Sequence, residues 1–213
     1  MSSDEADRDD IKMDDDDRDP IAIRSIVTGP EAGSIIGRKG ETVKNIRAES
    51  QAQVNIEGDS QLERIITVRG KTDSIFKAYT MICKVLEQRE KREDKEKSRN
   101  RSGTPDPDEL NLKVLVPAVQ VGALIGKGGE KIKEIRAETG ADINISSDPL
   151  PGSSEREMKI RGKREQITKC IFHICSILME HPPKVDVRLY KPESRDHQRD
   201  RDRGGGDPKT IKS

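Results

Sequence analysis

Gly37-Arg38-Lys39-Gly40 and Gly126-Lys127-Gly128-Gly129 are the residues of this chain best suited to chemistry at an anion. A glycine has no Cβ, so a backbone bracketed by two of them turns tightly and approaches another chain closely. Arg38, Lys39 and Lys127 add salt-dependent attraction to phosphates. Each loop also opens a helical pattern, whose first N–H groups lack partners and carry partial positive charge. That combination suits a phosphate. A nucleotide-binding Walker loop does not fit: three residues, not four, separate Gly122 from Gly126, and Gly128 follows Lys127 where Ser or Thr is needed.

A lone Gly-x-x-Gly is usually just a turn; recurrence gives it weight. Residues 35–56 match residues 124–145 at 12 of 22 positions, at an offset of 89. Each copy runs on into Ile-Arg-Ala-Glu, at Ile46 to Glu49 and Ile135 to Glu138. An internal repeat fixes architecture before any residue is assigned a role.

The elements around the loops repeat as well. Ile21 to Val27 alternates and is β-branched, which predicts a strand broken by Thr28-Gly29-Pro30. A short apolar turn over 32–36 leads into the loop. A helix is predicted over 41–50, strands over 53–57 and 64–69, and a long helix over 72–87 with Ile75, Phe76, Tyr79, Ile82, Val85 and Leu86 along one side. The charged stretch after it extends this helix in its first half, and Pro105 and Pro107 mark the linker. The second unit predicts a strand over 112–116, a short helix over 121–125, a helix over 131–139, strands over 142–146 and 158–161, and a helix over 163–180. Beyond the second variable loop the offset becomes 92, so the one length change falls in a surface loop. The bounds are an acidic disordered tail at 1–19, a first unit at 20–88, a charged linker at 89–109, a second unit at 110–181, and a polar, mostly disordered tail at 182–213. Val185, Val187 and Leu189 alternate in that tail, in the manner of a short added strand.

Composition agrees with two small units. Charged residues make up 38% of the 213 and hydrophobic ones 31%, too few for one core spanning the whole chain. The net charge of zero conceals an asymmetry: residues 1–20 hold ten acids and three bases, so the rest is mildly basic. Cys83, Cys170 and Cys175 form no CxxC pair and fall in apolar helical patterns, as buried reduced thiols do. No apolar run approaches the roughly 20 residues of a membrane span, and no secretory signal is apparent. A soluble, intracellular protein is expected, and its mixed-charge tails fit both nucleus and cytoplasm.

Ile-Ile-Gly-x-x-Gly within a β-α-α-β-β-α order resembles the type I KH domain, over roughly 20–88 and 110–181. The fold implied is α+β: in each unit a three-stranded antiparallel sheet packed by three helices. That family clamps about four nucleotides of single-stranded RNA or DNA with its Gly-x-x-Gly loop. Ile36 to Glu41, Glu63 to Thr67 and Leu124 to Arg136 further resemble the poly(C)-binding proteins, relatives of the heterogeneous nuclear ribonucleoproteins of E and K type. Members of that group usually carry a third such domain; here the tail would lead toward one in a longer form.

The resemblance implies a groove between the first two helices and an edge strand. Gly29, Ser34, Ile36 and Val43 would wall the first, beside Gly37, Arg38, Lys39 and Gly40. Val121, Leu124, Ile125 and Ile132 would wall the second, beside Gly126, Lys127, Gly128 and Gly129. Arg47 and Arg136 match an arginine that donates to the cytosine edge, and Arg64 and Arg156 a second arginine after the variable loop. The backbones of Ile56 and Ile145 would pair with base edges. Cytosine presents O2 and N3 as acceptors, whereas uracil presents N3–H, a donor that faces an arginine badly; C over U follows. An aliphatic groove also lacks a stacking platform and favours small pyrimidines. Gly58 departs from the pattern, standing where an acidic residue is frequent, with Glu57 one step earlier. Other roles compete. Arg47 and Arg136 also read as exposed helix cations, though recurrence favours binding. Ile36 and Ile125 stay open between core and contact.

The partner expected is therefore single-stranded C-rich RNA, with single-stranded DNA as an alternative, in mRNA splicing, stability or translation. The rival is an interaction scaffold whose third helices pack the two units together or form a homodimer. No membrane partner, metal or cofactor is expected, and no enzyme: His173, His181 and His197 have no metal or nucleophile spacing.

Overall fold

The computed structural model describes residues 20–58, 63–97 and 109–192, and for 93–97 the backbone alone. The acidic tail at 1–19, the centre of the first variable loop, the Pro-rich linker and the tail beyond 192 lie outside the described residues.

Strand β1 (Ile21–Val27) leads into helix α1 (Gly29–Ile36). The helix begins three residues before the expected apolar turn because Thr28 and Glu31 form a capping box. The Glu31 N–H donates to the Thr28 hydroxyl at 3.3 Å, and the Thr28 N–H donates to the Glu31 carboxylate at 2.6 Å. Pro30 is harmless there, since the first helical N–H groups have no intrahelical partner. After the glycine loop come α2 (Glu41–Ser50), β2 (Gln53–Glu57), β3 (Arg64–Gly70) and α3 (Thr72–Lys97). The second unit repeats this as β4 (Leu110–Pro117), α4 (Ala118–Ile125), α5 (Glu130–Thr139), β5 (Asp142–Pro149), β6 (Glu155–Gly162) and α6 (Arg164–Glu180). The first half of the charged stretch is thus helical to Lys97. An i,i+4 pair supports it, Lys91 Nζ to Glu87 Oε1 at 2.7 Å. Strand β5 runs three residues past its expected end, and across an irregularity Pro149 pairs with Arg156.

The two units are not tethered beads. Their sheets fuse into one six-stranded antiparallel sheet in the order β2-β3-β1-β4-β6-β5. At the seam Arg24 faces Leu115, Ser25 faces Val114 and Ile26 faces Lys113. Ser25 and Val114 are equivalent positions of the repeat, 89 apart, so a local two-fold axis passes between them. Helices α3 and α6 pack on one another over the same axis. Phe76 and Phe172 meet edge to face with centroids 6.2 Å apart, and Arg164 Nη1 donates to Glu87 Oε2 at 3.1 Å. One contiguous core includes residues from both units, among them Ile23, Ile66 and Tyr79 from the first and Val114, Ile160 and Ile171 from the second. The fully buried Tyr79 hydroxyl shares a 2.7 Å hydrogen bond with Ser25 Oγ at the seam. Burial pushes that phenol well above its ordinary pKa, so it stays neutral. Burial likewise pushes the Cys83 and Cys175 thiols up to about 12.

The opposite face of the sheet carries a smaller cluster of Ile26, Ile65 and Leu115, with Tyr190 packed on it. Residues 182–192 reach it without regular secondary structure. The alternating Val185, Val187 and Leu189 do not form the short strand their pattern suggests. The segment instead ties its backbone to a loop: the Arg188 N–H donates to Ser154 Oγ and the Ser154 N–H donates to the Arg188 carbonyl, each at 2.8 Å. Among the described residues no helix is long and apolar enough to cross a membrane.

Candidate nucleic-acid interface

Each glycine loop is a single tight turn between two helices. The Gly40 N–H reaches the Gly37 carbonyl at 3.3 Å and the Gly129 N–H the Gly126 carbonyl at 3.2 Å. Gly37 and Gly126 are held at φ 73° and 74°, and packing as well as conformation excludes a side chain there. A Cβ on Gly37 would lie 2.1 Å from Thr42 Oγ1, and one on Gly126 would lie 2.9 Å from the Lys131 nitrogen. Gly40 and Gly129, at φ 78° and 79°, face open space: the nearest atom to a Cβ on Gly40 is 4.0 Å away, and none lies within 4 Å at Gly129. The loops therefore keep one glycine for their own packing and one for the shape of the surface they present. Gly37→Ala is expected to lower the thermal midpoint much more than Gly40→Ala. The latter adds only the left-handed penalty of about 1–2 kcal/mol, and equal losses in a melting experiment would refute this division.

The third loop position is left-handed in both copies, Lys39 at φ 50° and Gly128 at φ 62°. Arg38, Lys39, Lys127 and Gly128 are exposed. No side chain caps Gly40 or Gly129, so the starts of α2 and α5 are left to the backbone and to any anion.

Arg47 and Arg136 behave identically. Arg47 donates from Nε at 2.9 Å and Nη2 at 2.6 Å to the Val54 carbonyl on β2. Arg136 donates from Nε, at 3.2 Å, and from Nη2 to the Ile143 carbonyl on β5. Val54 and Ile143 are again equivalent positions. Each guanidinium thus spans the gap between the second helix and the edge strand while its residue stays exposed. The free-cation alternative is replaced by a pinned one.

Strand alternation puts Ile56 and Arg64 on the same side as the core residues Val54, Ile66 and Val68, the helix-covered side. Ile145 and Arg156 take the corresponding places beside Ile143, Met158 and Ile160. The Nε atoms of both Arg64 and Arg156 are buried without a hydrogen-bond partner. A buried donor left unpaired costs about 1–3 kcal/mol, which a ligand acceptor would relieve. Ile36, Ile56, Ile125 and Ile145 are half-buried, so part of each remains for contact. Gly29 and Ser34 are half-buried on α1, and the Ser34 hydroxyl donates to the Pro30 carbonyl at 3.1 Å.

Two wall positions in the second unit need correction. Val121 and Leu124 are 3% and 0% exposed and belong to the core. At the repeat offset they match Ala32 and Ile35, which are core too. The counterparts of Gly29 and Ser34 are Ala118 and Ala123, a register the offset of 89 itself contains. Val43 and Ile132, at 6% and 8%, offer little surface and form a floor beneath the loops. Glu57 does not replace the acid missing at Gly58. It lies on the other side of β2, where it accepts from Asn55 Nδ2 at 2.7 Å.

Among the described residues no group of three His, Cys, Asp or Glu is placed to hold a metal ion. His173 Nε2 lies 3.2 Å from Glu138 Oε2 on the surface of α6.

A family model described as the KH domain matches residues 23–84 and again 111–176, together more than half of the chain. Solved structures also match. One is that of the a/eIF2alpha–aDim2p–rRNA complex from Pyrococcus horikoshii OT3, at 15% identity, covering 78% of this chain and 88% of that one, with a TM-score of 0.25. Another is a protein of unknown function from Aeropyrum pernix, at 18% identity, 78% and 85% coverage and a TM-score of 0.26. A third is Dim2p from Pyrococcus horikoshii OT3, at 15% identity, 76% and 93% coverage and a TM-score of 0.25. Scores this low carry no functional reading. The KH domain is an RNA-binding fold, generally non-enzymatic, that takes single-stranded RNA. With a KH match over each of two β-α-α-β-β-α units, the chain belongs to the KH-domain family as a tandem of two type I copies.

Proposed function

We propose that this protein binds single-stranded, C-rich RNA and acts in post-transcriptional mRNA regulation, at splicing, stability or translation, in nucleus and cytoplasm. The observation that carries the reading is the pair of guanidiniums, Arg47 and Arg136, pinned across equivalent helix-to-strand gaps. Each has further N–H groups beyond those spent on the strand carbonyl. A pyrimidine lying in the gap with O2 and N3 toward them satisfies both; uracil would bring a donor to a donor. The aliphatic surroundings, Ile36 with Ile56 and Ile125 with Ile145, suit a small base and offer no aromatic platform.

The rival reading keeps one of its two forms: α3 and α6 pack the two units together within one chain, with Phe76 edge to face on Phe172. The fused sheet holds the two grooves in a fixed relation to each other.

Fluorescence anisotropy of labelled ten-mers of C, U and A, all at one stated salt, tests the reading. A preference for C of about tenfold or more is expected, in the range of one well-placed base-edge contact pair. Equal binding of the three would reduce the grooves to generic phosphate attraction and end the proposal.

A further inference from the structure

Residues 1–20 carry ten acids and three bases, including the run from Asp14 to Asp17, whereas the other 193 residues carry 37 bases and 30 acids. The net charge of zero is therefore a balance between a polyanionic segment and a cationic remainder of the same chain. The glycine loops are suited to a polyanion. Arg38, Lys39 and Lys127 are exposed there, and no side chain caps the starts of α2 and α5. A carboxylate and a phosphodiester both present anionic oxygen acceptors, so donors that suit one suit the other.

Both loops lie within the segment's reach. Pro20 directly precedes β1, where Ile21 pairs with Gly70, and Arg69 in turn pairs with Gln53. Two strand spacings, the link from β2 back to α2, and the length of α2 bound that path to the first loop at roughly 40 Å. Pro20 and Pro117 line one cavity at the seam, and α4 leads from Pro117 to the second loop. That helix adds about 12 Å. Asp4, Glu5, Asp7, Asp9 and Asp10 stand 10 to 16 residues before Pro20. A chain of that length extends to about 35–55 Å.

We propose that the acidic segment at 1–19 docks on the glycine loops of its own chain and competes there with the phosphates of a nucleic acid, a proposal that rests on those loops being the phosphate site. Tethering sets the segment's local concentration in roughly the millimolar range. The loops then accept RNA only in the fraction of molecules that the segment has left, and apparent affinity falls by that fraction. Every ligand loses the same factor, so binding that depends on the loops alone drops out of the working range first.

In the free full-length protein, zero-length carbodiimide coupling read by mass spectrometry identifies the lysines that lie against the segment's carboxylates. Coupling of residues 4–19 to Lys39 and Lys127 is expected to exceed coupling to Lys77 and Lys84, which are also exposed, on α3. An excess of a C-rich ten-mer should suppress it. Equal coupling to all four lysines overturns the proposal whatever the RNA data. A second variant replaces all ten acids by their amides, Asp→Asn throughout and Glu5→Gln. It should bind the labelled ten-mer about threefold to tenfold tighter than the parent at about 50 mM salt. The gap should close near about 500 mM, where screening leaves only close contacts. Unchanged affinity, or coupling that persists with the ten-mer bound, means that the segment and the RNA do not share the loops and refutes the competition. A ten-mer that binds neither protein refutes instead the reading of the grooves, and the coupling pattern still decides whether the segment sits on the loops.

Discussion

Placing Asp at positions 38, 39, 127 and 128 together should weaken binding of a C-rich ten-mer by at least about 100-fold and leave the fold intact. Three cations become anions beside the phosphate path, and a fourth anion is added at Gly128. Losing two or three phosphate contacts has an effect of this order at moderate salt, and the residual binding should show a shallower salt dependence. The fold survives for local reasons. All four residues are exposed, and the glycines fixed by packing, Gly37 and Gly126, are untouched. Positions 39 and 128 are left-handed, a conformation in which Asp is enriched among non-glycine residues. Acids just before α2 and α5 also complement the helix dipole. Circular dichroism and thermal melting should therefore match the parent while anisotropy does not. Binding that persists in the fourfold variant would show that the nucleic acid lies elsewhere.

Arg24→Met should be the most damaging single change to stability. The Arg24 and Glu155 side chains pair across the seam between the units, at 10% and 2% exposure. Removing the arginine leaves a buried carboxylate with the Tyr190 N–H as its remaining described donor, and stranding a buried charge costs about 3–5 kcal/mol. The loss should appear as a lower urea midpoint. Replacing both partners, Arg24→Met with Glu155→Met, should recover most of it, because apolar pairs of similar volume commonly match a buried ion pair. A single-mutant loss below about 1 kcal/mol, the range of an exposed pair, would mean that the seam is open to water.

Much of this was legible in the residues because the repeat reads the same elements twice. Alternation at Ile21 to Val27 and the apolar stripe from Ile75 to Leu86 are local signals, and the elements form there. The seam was less legible, though a trace existed. Ile26-Val27 and Val114-Leu115-Val116 are consecutive apolar residues, which mark strands buried on both faces rather than one. Val121 and Leu124 are hard to place from the residues alone, because apolar residues beside a loop look alike until the repeat offset assigns them to the core positions Ala32 and Ile35. Tyr190 was beyond reach. Its hydroxyl partner lies 127 positions earlier, and no periodicity connects a tail to a loop at that distance. The Thr28–Glu31 box, by contrast, stood in the sequence as T-x-x-E and was obscured by the Gly-Pro between.

The pairing of Ser25 with Val114 has a further consequence, for the polarity of whatever lies in the grooves. A two-fold axis relates the units, so their edge strands, β2 and β5, end up on opposite margins of the sheet. Five strand spacings separate them, roughly 24 Å. A groove that reads its strand 5′ to 3′ in one direction is mirrored by one that reads in the reverse direction. A single strand filling both would have to turn back on itself in between, so two short tracts joined by a bend would suit the pair better than one short straight run.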